Sequence, residues 1–413
     1  MLIAPDDPGN GLLSAITGQY GSVIKNDVQD IREMIVDATT QATKCASLRS
    51  RDNTVDRLIA IATSRLPQMY CEDSQRFVHT CRRSAAGTLQ RVGQSVRYGA
   101  IVTLGARHLP EDAQRQLFGG QSALEFCGRI LGEIHSVQNL GDVALITWAA
   151  AELQHPQLDD AIRRLSEMSA AVCQCYTVEA AWIVSALTAA ASHTNVDDDL
   201  CKASRRLFHC FRPRAGVFAH HSDPSNSLRG RAHITCFADQ VYPIQALAKY
   251  YCVARDLQAL ETASQCAGQI CASQGKAGQW WWHYDARTGD VVEEYPVYAA
   301  HQDAMGPMAL LELREAGGPS FDEAVQRGLR WLTNPPEIER SLIDDDRFVI
   351  WRKVARAEPR KATRAIRTAT TRVHPKFRMK WLDRLFPPSR IDFECRPYHL
   401  GWILYTWLRR REY

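Results

Sequence analysis

QGKAGQWWWHYDARTGDVVEEYPVYAAHQDAMGPMALLEL occupies Gln274–Leu313 and differs from the rest of the 413-residue chain. Three tryptophans are followed by a turn, a run of carboxylates, two tyrosines and His301-Gln302-Asp303. Only then does an apolar helix begin, over DAMGPMALLELREAGG (Asp303–Gly318). Four further windows are apolar at almost every position: GDVALITWAAAEL (Gly141–Leu153), VEAAWIVSALTAAAS (Val178–Ser192), DQVYPIQALAKYYCV (Asp239–Val253) and YHLGWILYTWLRRR (Tyr398–Arg411). A helix apolar on all faces is buried on all faces. Between these windows lie helices with one polar face, such as DVQDIREMIVDATTQATKCASL, and turn signals such as HPQLDD, HSDPSNSLRG and TNPPE.

Buried helices starting near 141, 178, 239, 303 and 398 alternate with half-exposed ones. This predicts an all-α fold, an (α/α) toroid of two concentric layers of antiparallel helices. A superhelical solenoid would alternate in the same way. Polar groups at the start of each inner helix favour the toroid: Asp142, Glu179, Asp239-Gln240, His301-Gln302-Asp303 and Tyr398-His399. Singly, each acid is a helix cap. In a ring of parallel inner helices they converge on one rim. The expected organisation is an N-terminal helical region over 1–130, a cap or the first hairpins, followed by the toroid over 131–413.

Gln274, Gly278 and Trp280 form Q-x-x-x-G-x-W, which resembles the QW motif of terpenoid cyclases, and AVQRGLRWLTNP (Ala324–Pro335) resembles the helix that accompanies such motifs. The resemblance implies the α/α-toroid of terpenoid cyclases and protein prenyltransferases, in which the Gln caps a helix and the Trp stacks on it. The chemistry does not follow. Neither IDDDRF (Ile343–Phe348) nor VDDDLC (Val196–Cys201) fits the D-x-D-D of alkene-protonating cyclases, and D-D-x-x-D is missing. The same fold also carries glycoside hydrolases, lyases and sugar epimerases.

Three consecutive tryptophans cannot all face one core, so at least one of Trp280, Trp281 and Trp282 is expected to be exposed or to line a cavity. Flat aromatic faces suit a sugar ring or a carbocation. DARTGD (Asp285–Asp290) predicts a hairpin over the rim, with at most one of Glu293 and Glu294 turned inward. The candidate catalytic groups are Asp303, His301, Asp239, Glu394, Tyr298 and His399. The candidate substrate contacts are Trp280, Trp281, Trp282, His283, Tyr284, Tyr242, Arg396 and Tyr398. Paired carboxylates suit glycoside hydrolysis; Tyr or His bases with an arginine suit uronate chemistry.

Composition bounds the rest. The chain is 45% apolar and 23% charged, with 13 cysteines in no metal-binding or disulfide pattern; Cys173 and Cys175 form a lone C-x-C. Reduced, buried thiols and a cytoplasmic location are expected, with no metal and no cofactor. No signal peptide and no membrane span is evident. Phosphate-loop and Rossmann motifs are absent. The formal charge of +4 hides a block at 351–390 with thirteen Lys and Arg against two acids, a surface for a polyanion or an anionic membrane; nucleic acid is not expected. The leading function is a glycan-acting hydrolase, lyase or epimerase. A terpenoid-cyclase-like enzyme and a non-enzymatic helical scaffold stand as alternatives.

Overall fold

The windows that are apolar on every side become the inner wall of a ring. The computed structural model describes residues 54–172, 175–222, 231–338 and 340–410. The half-polar helix expected over 27–48, Cys173 and most of the HSDPSNSLRG turn lie outside them. The chain passes through a helix ending at residue 69 (α1), strands β1 (Tyr70–Cys71), β2 (Arg76–Arg83) and β3 (Leu89–Gln94), and helices α2 (Val96–Ala106), α3 (Glu111–Leu117), α4 (Ala123–Leu131), α5 (Leu140–Glu152), α6 (Leu158–Ala171), α7 (Thr177–Ala190) and α8 (Asp197–Cys210). Strands β4 (Phe211–Arg212), β5 (Val217–Phe218) and β6 (Ile234–Cys236) lead to α9 (Ala238–Ala254) and α10 (Leu257–Ala272). Strands β7 (His283–Asp285), β8 (Val291–Glu293) and β9 (Val297–Tyr298) precede a π-helical turn at His301–Met305, then α11 (Gly306–Glu315) and α12 (Asp322–Thr333). The chain finishes with β10 (Ile343–Asp344), β11 (Val349–Ile350), β12 (Lys353–Arg356), α13 (Ala362–Val373), α14 (Leu382–Leu385), β13 (Pro388–Asp392), β14 (Glu394–Cys395) and α15 (Pro397–Trp407).

Within the unit formed by residues 57–410, six helices close a circle: α2 packs on α5, α5 on α7, α7 on α9, α9 on α11, α11 on α15, and α15 back on α2. Outside them, α4 and α6 pack on α5, α8 on α7, α10 on α9 and α12 on α11. The fold is an α/α-toroid. Sequence accounts for the division. In α5, LGDVALITWAAAE is buried at all but Asp142 and Glu152, whereas α6 buries only Leu158, Ala161 and Leu165 along one stripe. Five inner helices begin where the apolar windows predict; the sixth, α2, was not singled out. The all-α expectation needs correction. Short antiparallel sheets, β1-β2-β14 with β3 on β2, β13-β12-β9 and β6-β7-β8, decorate the ring. Strands of two or three residues are too short to show a period of two in sequence.

The inner helices run parallel, because like ends meet. At their N-terminal ends Arg97 of α2 pairs with Asp142 of α5, and Tyr98 of α2 touches Tyr398 of α15. At their C-terminal ends Glu152 of α5 accepts from Lys249 of α9 at 2.7 Å and from Arg107 at 3.1 Å, and Lys249 reaches Tyr405 of α15 at 3.3 Å. The circle closes where α2 and α15 come into backbone contact. A Cβ at Gly105 would lie 2.1 Å from the Gly401 carbonyl oxygen, and one at Gly401 would lie 3.0 Å from the Val102 Cα.

Gln274, Gly278 and Trp280 anchor the outer layer to the inner one. The Gln274 amide donates to the carbonyls of Gly278 and Ala324, both at 2.9 Å, and accepts from Arg327. Gly278, at φ +108°, lets the chain pass against the Arg327 backbone, where a Cβ would meet the carbonyl oxygen at 2.0 Å. Trp280 is fully buried against Gly306 and Gly328 and stacks on Phe237. The described cysteines are all free thiols, and no described helix is long and apolar enough to cross a membrane.

Two stability outcomes follow. Gly105→Val is expected to cost about 3 kcal/mol or more, since backbone cannot yield as a side chain does; urea unfolding measures it. Burial would raise the Glu152 pKa, yet Lys249 and Arg107 hold it near 2, below its ordinary 4.5. Its contribution is therefore present above about pH 4.5 and lost as pH falls toward 2. Lys249→Met should cost about 3 kcal/mol at neutral pH and flatten that acid dependence in pH-resolved unfolding.

Candidate active site

Strands deliver the chain to the N-terminal ends of four inner helices: β3 to α2, β6 to α9, β9 to the π turn and α11, and β14 to α15. The polar groups gather there. In the first turn of α9, Asp239 is fully buried and accepts from the Cys236 N–H at 2.8 Å, the Thr235 hydroxyl at 3.1 Å and His220 Nδ1–H at 2.9 Å. His220 follows β5 and keeps 47% of its side chain exposed. The hydrogen bond to Asp239 raises its pKa, outweighing burial. Nδ1 is committed to the carboxylate, so Nε2 is the nitrogen left for a reacting group, an arrangement suited to general acid/base work. His220, Cys236 and Asp239 place three ligand-type atoms within 4.8 Å of one another. Burial pushes the Cys236 thiol well above its usual range, and Asp239 already accepts three hydrogen bonds within this cluster.

An aromatic strip runs on from this dyad. Cys236 pairs with His283 across β6 and β7, and His283 lies 5.2 Å from Trp282 by ring centroids. The Trp282 ring is parallel to that of His301 within 5° at 5.7 Å and contacts Tyr298 at 4.5 Å. Phe237 covers His301 at 4.6 Å. Burial, with His399 and Arg352, depresses the His301 pKa to about 3, so its imidazole is neutral. His301 Nδ1 and Trp282 Nε1 are buried with no protein partner. The π turn holds this arrangement: Gln302 accepts from the Trp280 N–H at 3.2 Å and donates to the Tyr298 carbonyl at 3.3 Å. Such turns recur at functional sites.

Asp303 is buried and bonded to His399 Nε2 at 2.7 Å, while its Oδ2 has no partner. Burial raises the Asp303 pKa and His399 opposes the rise. Beyond lies a cationic group. Glu394 is gripped by Arg82, by Arg396 at 2.9 Å and by Arg352 at 3.0 Å. Burial would raise its pKa, but these arginines hold it near 2. Arg396 also donates to the Tyr98 hydroxyl at 3.3 Å, and Arg352 and Lys353 lie over the Tyr298 ring.

The chain resembles known structures at this level of fold. An unsaturated glucuronyl hydrolase specific for heparin superposes with a TM-score of 0.57 at 13% identity, over 87% of this chain and 96% of that one. A sugar epimerase from a ruminal bacterium gives 0.55 at 10%, over 87% and 99%. The unsaturated glucuronyl hydrolase of Bacillus sp. GL1 gives 0.52 at 14%, over 86% and 95%. These share the toroid. No family model and no curated protein matches the sequence. The resemblance to terpenoid cyclases therefore carries as far as the shared toroid and no further.

Against this geometry the candidate residues divide. Asp239, His301, Asp303, Tyr298, His399, Trp282, His283, Arg396 and Tyr398 stand along the rim and its strip. Trp280 and Tyr284 do not: both are fully buried, Trp280 wedged against helix backbones. Tyr242 packs between Trp182 and Trp402, and Trp281 packs edge-on against Tyr295 away from the strip. Glu394, ionised among three guanidinium groups, is an anchor for arginines rather than a proton donor. Glu293 turns inward to Arg356 and Arg367 while Glu294 stays half-buried at the surface. Sequence reasoning missed His220, Arg352 and Tyr98. His220 lies in a loop whose meeting with Asp239 only the folded chain creates; the paired His220-His221 before a turn was the available signal.

Asp239→Asn should lower the His220 pKa, because the largest contribution raising it is removed. Proton NMR titration of the His220 imidazole in both proteins tests this. An unchanged midpoint would mean the dyad does not exist in solution.

Proposed function

We propose that this chain is a carbohydrate-active enzyme that applies acid/base chemistry to a glycan bearing uronate groups. The observation that carries the reading is the His220–Asp239 dyad: a half-exposed imidazole, its pKa raised by the hydrogen bond to a buried carboxylate, at the mouth of a toroid. His220 delivers a proton through Nε2, and Asp239 fixes the tautomer and stabilises the charged ring. Trp282 and Tyr298 add aromatic surface beside the dyad for a pyranose. Arg352 and Arg396, already splayed around Glu394, supply the positive charge that a substrate carboxylate needs. The toroid shared with unsaturated glucuronyl hydrolases supports a hydrolase as the reaction. An isoprenoid substrate has less support, since arginines and carboxyl groups interrupt the aromatic strip.

A second reading rests on a separate observation. The environments of two rim histidines push their pKa values apart, His220 up and His301 down to about 3. Two imidazoles tuned in opposite directions suit a proton taken from one face of a sugar and returned on the other, the need of an epimerase. Incubation with uronate-containing oligosaccharides in deuterium oxide separates the two: cleavage creates a new reducing end, whereas epimerisation labels a ring carbon without cleavage. Neither product would overturn the proposal.

His220→Gln is expected to lower turnover at least a hundredfold with little change in melting temperature. Arg396→Leu should raise KM for uronate substrates about tenfold, leaving neutral sugars unaffected; steady-state kinetics on both substrate classes would show it.

A further inference from the structure

The basic block at 351–390 divides in two on folding. Its first part is spent internally. Arg356 and Arg367 are buried on Glu293 and Asp383, Arg352 on Asp392 and Glu394, Lys353 on Asp392, and Arg378 reaches Asp290. What stays outside is concentrated in RVHPKFRMKWLDRL, Arg372 to Leu385. Arg372, Lys376, Lys380 and Arg384 are exposed there, and Asp383, the stretch's one acid, turns inward to Arg356 and Arg367.

The same stretch exposes large apolar side chains. Val373 is 88% exposed, Phe377 55%, Trp381 55% and Leu385 58%. With Ile366, these are five of the eleven large hydrophobic residues exposed among the described residues. The turn ending the stretch sorts its residues by side. The Leu385 N–H donates to the Trp381 carbonyl, so Trp381, Arg384 and Leu385 share one helical face, while Leu382, about 100° round from Trp381, is buried. Apolar tips therefore stand beside cations on an outward surface, and the acids that reach this stretch, Asp290 and Asp383, are paired with Arg378 and with Arg356 and Arg367.

We propose that this surface docks on an anionic lipid bilayer. Charge complementarity and the type of apolar group both point there. Cations beside an anionic leaflet attract it over about a Debye length. Aromatic and aliphatic tips then insert at the headgroup boundary, the combination found in interfacial segments. An acidic polysaccharide would use the cations and the flat rings, but it has no use for Val373 and Leu385, whose branched tips cannot stack on a sugar. The contact is peripheral, and it sits beside the candidate site: α13 packs on β8, and the Arg364 guanidinium lies over the Trp282 ring.

The test is co-sedimentation of the full chain with vesicles of phosphatidylcholine, with and without about 30% phosphatidylserine. The expected result is binding to the anionic vesicles that falls at least tenfold without phosphatidylserine, and falls again with added salt. A Phe377→Glu and Trp381→Glu double variant should lose at least tenfold of that binding while keeping the wild-type melting temperature. Lys376→Glu with Lys380→Glu should do the same. The proposal is overturned by absence of binding to anionic vesicles, by equal binding to neutral ones, or by undiminished binding of the double variants. Capture by immobilised heparin without vesicle binding would assign the surface to an acidic polymer and equally overturn it.

Discussion

Everything in this molecule depends on the contact that turns a row of helix pairs into a circle. Gly105 and Gly401 bring the backbones of α2 and α15 together, and no side chain larger than hydrogen fits between them. Without that closure the inner helices would form a curved stack with two open ends and an apolar flank at each. With it, each inner helix has neighbours on both sides and the outer layer behind it. This explains how helices such as α5 and α7 can be apolar on nearly every face. Strand pairing supports the same closure, since β14 lies beside β2 and joins the end of the ring to its beginning.

Much of the fold was legible because burial on all sides leaves a plain mark: a helix-length run with no polar stripe. That mark located five inner helices to within a few residues. It located nothing at the rim, where most strands are two or three residues long and their pairing is set by tertiary contact. The candidate site divides in the same way. Asp239, His301 and Asp303 announce themselves by preceding apolar helices. His220 comes from a loop between an outer helix and the next inner one, and no local pattern ties it to Asp239. Trp280 misled for a physical reason: an aromatic run signals only that its rings cannot share one environment, not which ring faces the core.

Electrostatics followed a similar course. The excess of arginine in 351–390 suggests one surface when counted along the chain. Folding splits it into buried ion pairs around Glu293 and Asp383, a cage around Glu394, and an exposed remainder. Glu394 shows why identity alone misassigns a role: three guanidinium groups hold this carboxyl group's pKa near 2.

Parallel packing of the inner helices has one more consequence. Each carries a macrodipole of roughly half a charge at either end, and in this ring the dipoles all point the same way. Their positive ends add at the rim and their negative ends at the far side. The far side is met by Arg107, Lys249 and Arg410. At the rim, the acids Asp142, Asp239 and Asp303 sit beside these positive ends. The backbone thus adds a positive contribution at the rim, felt within about one turn of each helix end, to that of the arginines.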